Sequence, residues 1–460
     1  MSSHKTTNLE LHKWVGSDPF NRNEIVENFD IIDKYISDNS FNIDLLKNSS
    51  INIEAFGAKG NANYYNVSNG KWYEDANYTI LAKDNTETIQ SAIDYIAKNF
   101  PSNGATLEIP NGAFLFNQVK IYSKHIKVIG GGILRGRVLI QSTDILNPIA
   151  FNIKELFTVF DGVKFERESG YKGAAITIQN TRDVTIQNCF ISNYQIGILG
   201  NPTLVEYKWQ QTARIRIKGC TIQKTQYAVK TNMFPWDKKL SNWNYFQHGD
   251  WNVSDNYFYG DVGGIDNVHF EGQDGLILKG NFFFHGTASG KSPDKRNNIF
   301  IKQSNFVIIS DNNLFEAGTE AIRIEDFRIL TIKDNNIGWC GQRIPSSGIF
   351  VETTDTGSTY SSCSANINNN NISVTTKHGI EVGYNPVRMK INDNSLFLLG
   401  SRAHYYGSNA ITNAPCSVYI NYSGKPFTSK DLIVVSGNFS DKPSNIKRGL
   451  KAGDFYFPKG

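Results

Sequence analysis

From residue 105 onward, apolar and polar positions alternate in short runs, and the runs recur. Ile176-Thr177-Ile178, Val229-Lys230-Thr231, Val268-His269-Phe270, Ile299-Phe300-Ile301, Ile322-Arg323-Ile324, Ile349-Phe350-Val351, Ile380-Glu381-Val382 and Val418-Tyr419-Ile420 share one form. A period of two means a strand with one face buried and the other exposed. Between these runs lies a second pattern: a β-branched or aliphatic residue, a variable residue, a turn residue, then Asn. It reads Val253-Ser254-Asp255-Asn256, Leu278-Lys279-Gly280-Asn281, Ile309-Ser310-Asp311-Asn312 and Ile332-Lys333-Asp334-Asn335. It continues as Ile367-Asn368-Asn369-Asn370, Ile391-Asn392-Asp393-Asn394 and Val435-Ser436-Gly437-Asn438, with Cys189 and Cys220 replacing Asn in two earlier copies. Copies lie roughly 23 to 44 residues apart, the range expected of solenoid coils with loops of unequal length. The pattern predicts an all-β fold, a right-handed, single-stranded parallel β-helix in which each coil adds a strand to long stacked sheets.

The Asn column reads as a ladder at a sharp turn, each amide bonding backbone in its own or the next coil. Cys at two rungs suits the same slot as a small buried residue. The five cysteines are odd in number and lack metal-ligand spacing, so neither a disulfide framework nor a zinc site is expected. Asp-rich turns such as Ser310-Asp311-Asn312 lack the Gly and terminal Glu of a calcium loop, and no cofactor is predicted.

A solenoid needs caps at its apolar ends. Asp84-Asn85-Thr86-Glu87 resembles a capping box, and Ile89, Ile93, Ile96 and Phe100 follow on one helical face. This predicts a capping helix near 85–100, inside a β-helix domain spanning 51–424, with a C-terminal coil and cap over 425–460. Residues 1–50 form a separate N-terminal segment. There Ile25, Phe29, Ile32 and Ile36 are spaced 4-3-4 on a short helix, which packs either on its own domain or against copies of itself.

Composition narrows the functional classes. The 460 residues carry a net charge of +4, with 20% charged, so no strong field points to nucleic acid or a membrane surface. Neither an export signal nor a membrane-length apolar run is visible. The chain also lacks a Gly-x-Ser-x-Gly motif and a phosphate loop, and Val128-Ile129-Gly130-Gly131-Gly132-Ile133 has no helix for a dinucleotide.

Two stretches resemble known families. Leu11-His12-Lys13-Trp14-Val15-Gly16-Ser17-Asp18-Pro19-Phe20, leading into Glu27-Asn28-Phe29-Asp30, resembles the amino terminus of tail-associated proteins of phages that infect Gram-positive bacteria. Phe56-Gly57-Ala58-Lys59-Gly60 with Asn85-Thr86-Glu87-Thr88-Ile89-Gln90-Ser91-Ala92-Ile93 resembles the opening of pectate-lyase-like β-helix domains. Here an insertion near Asn61 to Ala82 replaces that family's compact acidic link. Together they resemble Bacillus-type phage tailspikes and preneck appendages. The resemblance implies a homotrimer on a virion, joined to tail or baseplate proteins through its N-terminus. It also implies binding, and often depolymerisation, of a host surface glycan such as wall teichoic acid or exopolysaccharide.

Fold does not fix function, so the site has to be argued from residues. Aligning the alternating strands gives one outward column, Thr177, Gly197, Lys230, His269, Phe300, Arg323, Phe350, Glu381, Tyr419. A second runs Gln179, Leu199, Asn232, Glu271, Lys302, Glu325, Glu352, Gly383, Asn421. With coils about 4.8 Å apart, Glu271, Lys302, Glu325 and Glu352 form a stripe flanked by His269, Arg323 and Glu381. A surface charge ladder accounts for Glu271-Lys302-Glu325, which alternates in sign. Glu325 beside Glu352 fits it poorly, because adjacent like charges repel and split into an acid and a base. Carboxylates about 5 Å apart suit a retaining glycosidase, whereas Glu271 and Glu325 at about 10 Å suit an inverting one. Asp326, just past the strand, and Glu320, just before it, are alternates. Arg323 and Lys302 are placed to hold anionic groups of a glycan. An aromatic-rich insertion carries Trp236, Trp243, Tyr245 and Trp251, which either stack on sugar rings or cover the sheet or a subunit contact. Phe258 is read as core. A calcium-assisted elimination is disfavoured, because no acidic cluster stands beside an exposed Arg. The competing classes are a glycan depolymerase acting by glycoside or phosphodiester hydrolysis, a non-catalytic receptor-binding adhesin, and a structural spacer or cellular polysaccharide enzyme.

Overall fold

The computed structural model describes residues 4–5, 12–13, 27–31, 49–142, 155–202, 212–233, 248–260, 264–285, 297–353, 363–383, 388–400, 415–421, 433–440, 445–447 and 455–456. The chain divides into two compact units, Met1–Ile51 and Asn52–Gly460. In the first, His4–Lys5 pairs antiparallel with His12–Lys13, and residues 27–31 are helical with Phe29 exposed. The other members of the expected apolar seam, Ile25, Ile32 and Ile36, lie outside the described residues.

The second unit is a parallel β-helix. Each coil lays down three strand segments that pair in parallel with the coils before and after. In one coil they are His248–Ser254, Tyr257–Gly260 and Asp266–Glu271. These pair with Gln273–Lys279, Phe282–His285 and the first half of Asn297–Ser310 in the next. Inward side chains are aliphatic and aromatic and close to fully buried, as in the stack Ile299, Ile322, Ile349, Ile380 and Val418. Stacking one coil on the next is what buries this core, since a single coil has only one layer to offer.

The turn between the first and second segments carries the asparagine ladder. Asn256, Asn281, Asn312, Asn335, Asn370, Asn394 and Asn438 stack in line. The Nδ2 of Asn312 donates to Asn335 Oδ1 at 2.9 Å and to the Leu278 carbonyl at 3.0 Å. Its Oδ1 accepts from the backbone N of Asn281 at 2.9 Å and the Nδ2 of Asn281 at 3.0 Å. The same set repeats along the column, so amides that are nearly all buried keep their hydrogen bonds. The residue before each rung is left-handed: Asp255, Asp311, Asp334, Asn369 and Asp393 have φ of 55–58°, and Gly219, Gly280 and Gly437 have 63–67°. Asp, Asn and Gly tolerate that backbone best, which explains the turn residue of the repeat. Cys220 ends the run, its backbone N donating to Asn256 Oδ1 at 2.9 Å. All five cysteines are buried.

The cap forms over Thr86–Asn99, with Ile89, Ala92, Ile93 and Ile96 buried. Asp84 Oδ1 accepts from the Thr86 backbone N at 2.9 Å, satisfying one of the exposed donors at the helix start. Asn85 is buried and turned away from the helix, bonding Lys59 N and the Lys59 and Leu115 carbonyls. The insertion before the helix folds into a hairpin, Tyr64–Asn66 against Lys71–Tyr73. Trp72 anchors it: the Arg135 guanidinium lies 4.0 Å from its ring centre, and its Nε1 donates to Glu168 at 3.2 Å. No helix among the described residues is long and apolar enough to cross a membrane.

Candidate functional site

The outward face of the third sheet brings the charged stripe together. Glu271 pairs with Lys302, Lys302 with Glu325, and Glu325 with Glu352, as consecutive register partners. Beside them His269, Phe300, Arg323, Phe350, Glu381 and Tyr419 form the neighbouring column. One coil departs from the expected alignment by two residues. Leu199, not Gly197, stands between Thr177 and Lys230, and Asn201 rather than Leu199 bonds Asn232. Gly197-Ile198-Leu199-Gly200 offers a glycine at each end and no branched pair to fix the frame.

Arg323 is the hub of the stripe. Its Nε donates to Glu325 Oε1 at 2.8 Å, Nη2 to Glu352 Oε1 at 3.5 Å, and Nη1 lies 3.7 Å from Glu320 Oε1. The guanidinium also rests over the Phe350 ring, 4.5 Å from its centre. Lys302 Nζ sits 3.8 Å from the other oxygen of Glu325. Glu325 is thus held by two cations. Glu352 has one long bond, and its carboxyl is raised above the ordinary range. Burial is the largest cause, Arg323 opposes it, and Glu325, Asp326 and Glu381 add repulsion. Burial likewise raises Glu320, although Arg323 lies beside it. The next position in the column is Gly383, and a Cβ there would lie 2.8 Å from Glu352 Cβ and 2.9 Å from its Oε2. A glycine is what gives the Glu352 carboxyl room at the end of the stripe.

At the other end, His269 bridges two carboxylates. Its Nδ1 is 2.7 Å from Asp266 Oδ2 and its Nε2 is 3.1 Å from Glu271 Oε1. Burial disfavours the imidazolium, but these two bonds outweigh it and raise the pKa above the usual histidine value. Glu271 shifts the opposite way: burial raises it, while the His269 hydrogen bond and nearby cations bring it below normal. Asp266 is itself buried and accepts from Asn297 Nδ2 at 2.8 Å. The His269 ring stacks on Phe300, 4.5 Å between centres.

Several expected residues fall elsewhere. Glu381 keeps its place in the column but is buried rather than exposed on the stripe. Lys377 Nζ lies 2.7 Å from both its oxygens, and Ser347 Oγ donates to it at 2.7 Å. Asp326 is also buried, at a left-handed corner with φ of 57°, so it leaves the stripe rather than standing in for Glu325. Trp251 is a core residue. It is 1% exposed, its Nε1 donates to Thr212 Oγ1 at 3.1 Å, and its ring meets Phe270 edge-on. Trp236, Trp243 and Tyr245 lie outside the described residues. Phe258 is fully buried.

Sequence reasoning missed Asp266, Ser347 and Lys377, which sit at strand starts or in turns where the alternation gives no frame. Burial lowers His378 to about 4; its Nδ1 accepts from Cys416 N at 3.0 Å, and its ring stacks on Tyr419. Among the described residues no group of three or more His, Cys, Asp or Glu is placed to hold a metal ion.

These features define a parallel β-helix with a charged, aromatic-lined face. No protein-family model matches the chain, and no curated protein matches it. Solved structures resemble its fold. A point mutant of DFA-IIIase from Arthrobacter chlorophenolicus, in complex with DFA-III, aligns over 86% of this chain and 95% of its own at 11% identity and TM-score 0.51. The A-module of a mannuronan C-5 epimerase from Azotobacter vinelandii aligns over 85% and 100% at 12% identity and TM-score 0.48. PfbA, a surface adhesin of Streptococcus pneumoniae, aligns over 85% and 91% at 11% identity and TM-score 0.41. At such identity the likeness concerns the fold alone.

Proposed function

We propose that the protein is a phage tailspike that binds a host surface glycan, wall teichoic acid or exopolysaccharide, and hydrolyses it at the Glu325–Glu352 pair. The observation that carries this reading is the placement of two glutamates on adjacent rungs, with the Glu352 carboxyl raised above its ordinary range by burial. Adjacent rungs are about 4.8 Å apart, close to the separation of retaining glycosidases. Where the bond cut is glycosidic, Glu352 is the acid that gives its proton to the leaving oxygen. Glu325, held in place by Arg323 and Lys302, attacks the anomeric carbon, and Glu352 next activates the water that releases the sugar. Phe300 and Phe350 alternate with His269 and Arg323 alongside, offering ring faces to sugars. The virion setting, the homotrimer and attachment to tail or baseplate proteins through the N-terminal segment rest on the resemblance of residues 11–30 and 56–93.

Incubation with purified teichoic acids and Bacillus exopolysaccharides tests the reading, with product length as the readout. Glu352→Gln and Glu325→Gln each should lower turnover by about 10²-fold or more. Cleavage that survives both substitutions would place the chemistry elsewhere.

A specific observation favours the second reading, a non-catalytic adhesin. Arg323 links Glu320, Glu325 and Glu352, so one cation relieves the repulsion that otherwise argues for catalysis. Undiminished glycan binding without shortened products would select it.

A further inference from the structure

A second polar feature lies at the corner between the second and third sheets, three to five coils toward the N-terminus from Glu325. It is a cleft of about 230 Å³ whose walls include Tyr171, Lys172, Asn193, Gln195, Lys224 and Gln226. No carboxylate lines it. Lys172 and Lys224 are exposed and have no ion-pair partner among the described residues. Arg167, beneath the cleft, is already neutralised by a bidentate pair with Glu168 at 2.8 and 3.0 Å. Gln195 Nε2 donates to Gln226 Oε1 at 3.0 Å. That bond leaves Gln195 Oε1 as an open acceptor and Gln226 Nε2 as an open donor. Asn193 Nδ2 is spent on the Arg167 carbonyl, so its Oδ1 adds another acceptor. The floor is fixed, because buried Tyr194 donates to the Gly136 carbonyl at 2.7 Å and meets Tyr171 edge-on.

The geometry points to a binding subsite for one sugar or polyol unit that carries an anionic group, as part of an extended polyanionic glycan. The ammonium groups supply the charge complement, and the amides pair with hydroxyls, which both donate and accept. Tyr227, which follows Gln226, is in register with Asp266, and the strand of Glu325 comes two coils later. The near wall of the cleft, at Gln226, thus lies about 14 Å along the axis from Glu325, at about 4.8 Å per coil, and Asn193 and Lys172 lie one and two coils further back. A chain held here would continue toward Glu271 and Glu325. The inference rests on the proposed function for its direction, but the site itself is testable without cleavage.

The experiment is calorimetric titration of the full chain with three oligomers of matched length: poly(glycerol phosphate), oligogalacturonate and neutral dextran. Binding of at least one anionic oligomer is expected, with dextran at least about tenfold weaker, and phosphate against carboxylate separates the two sources of charge. Lys172→Ala with Lys224→Ala should weaken the anionic oligomer about tenfold, and the paired Lys→Arg changes should restore it. Dextran binding as tightly as the anions, no anionic binding, or affinity indifferent to the lysines would each overturn the subsite. Lysine-dependent binding without cleavage would instead sink the hydrolase and leave the subsite standing.

Discussion

The asparagine ladder and the carboxylate stripe are built alike and behave differently. Both are columns of polar side chains, one per coil, spaced by the same interstrand step. In the ladder each amide is donor and acceptor at once, so Asn312 satisfies Asn281 and is satisfied by Asn335 without help. In the stripe Glu325 and Glu352 are both acceptors, and neither can satisfy the other. They need Arg323 from the neighbouring column and Lys302 from the rung before. A self-complementary column can be buried and left unattended. One that is not self-complementary has to stay near solvent and recruit counter-charge.

Breaking the ladder should have the largest effect on stability. Asn312→Ala removes the acceptor of the buried Asn281 backbone N and the side-chain donor to the Leu278 carbonyl, and leaves the Asn281 Nδ2 with Val253 alone. We expect a loss of about 4 kcal/mol in chemical denaturation, several unsatisfied groups at ~1–3 kcal/mol each. Breaking the stripe sterically comes next. Gly383→Ala drives a methyl against Glu352 and should cost about 2 kcal/mol while lowering glycan turnover at least tenfold, with every carboxylate still present. Unchanged turnover would show that the position of Glu352 is irrelevant.

Removing the counter-charge sharpens the comparison through pH. Arg323→Met leaves Glu320, Glu325 and Glu352 to repel one another, a loss of about 1–2 kcal/mol near neutral pH. Acidification protonates the carboxyls, so the difference from the parent should close as the pH falls, and a constant difference would assign Arg323 to packing alone. His269→Gln should have a smaller effect of the opposite sign in pH. The folded pKa of His269 is raised, so its contribution is full below its ordinary value of 6.5 and vanishes as pH rises through the folded value. Parent and variant should therefore differ by about 1 kcal/mol or less in acid and converge in alkali. Smallest of all, Cys220→Asn should extend the ladder. The Cys220 thiol already points at the Ile186 carbonyl, the position that Asn256 fills by bonding Ile217. A change within about 1 kcal/mol, stabilising in sign, is expected in thermal unfolding.

How much of this could be read from residues alone follows the same division. The ladder was legible because its turn is always the same length and its left-handed position admits only Asp, Asn or Gly in most coils. The stripe was legible where branched residues flank each outward one, as in Ile322-Arg323-Ile324. Legibility failed where the chain leaves the strands. Glu381 reads as exposed by alternation, yet Lys377 and Ser347 reach it from turns whose lengths differ from coil to coil. Trp251 was counted with the insertion before it, although it is two residues from inward Val253 and pairs with buried Leu276. Asp266 carries no mark in sequence that distinguishes it from other strand-initial acids. Its role appears only when His269 folds back onto it at 2.7 Å.

The stacking of Glu271, Lys302, Glu325 and Glu352 on successive coils also makes the face a ruler graduated in whole steps. Separations along it do not drift continuously: they change by one coil, about 4.8 Å, or not at all. Inserting a single coil between two adjacent acidic rungs would therefore move a carboxylate pair from about 5 Å to about 10 Å in one event, and deleting one would reverse it, the interval that separates retention from inversion at a glycosidic carbon. In such a scaffold, the stereochemistry of a reaction can be altered by the arithmetic of repeats, with no catalytic side chain replaced.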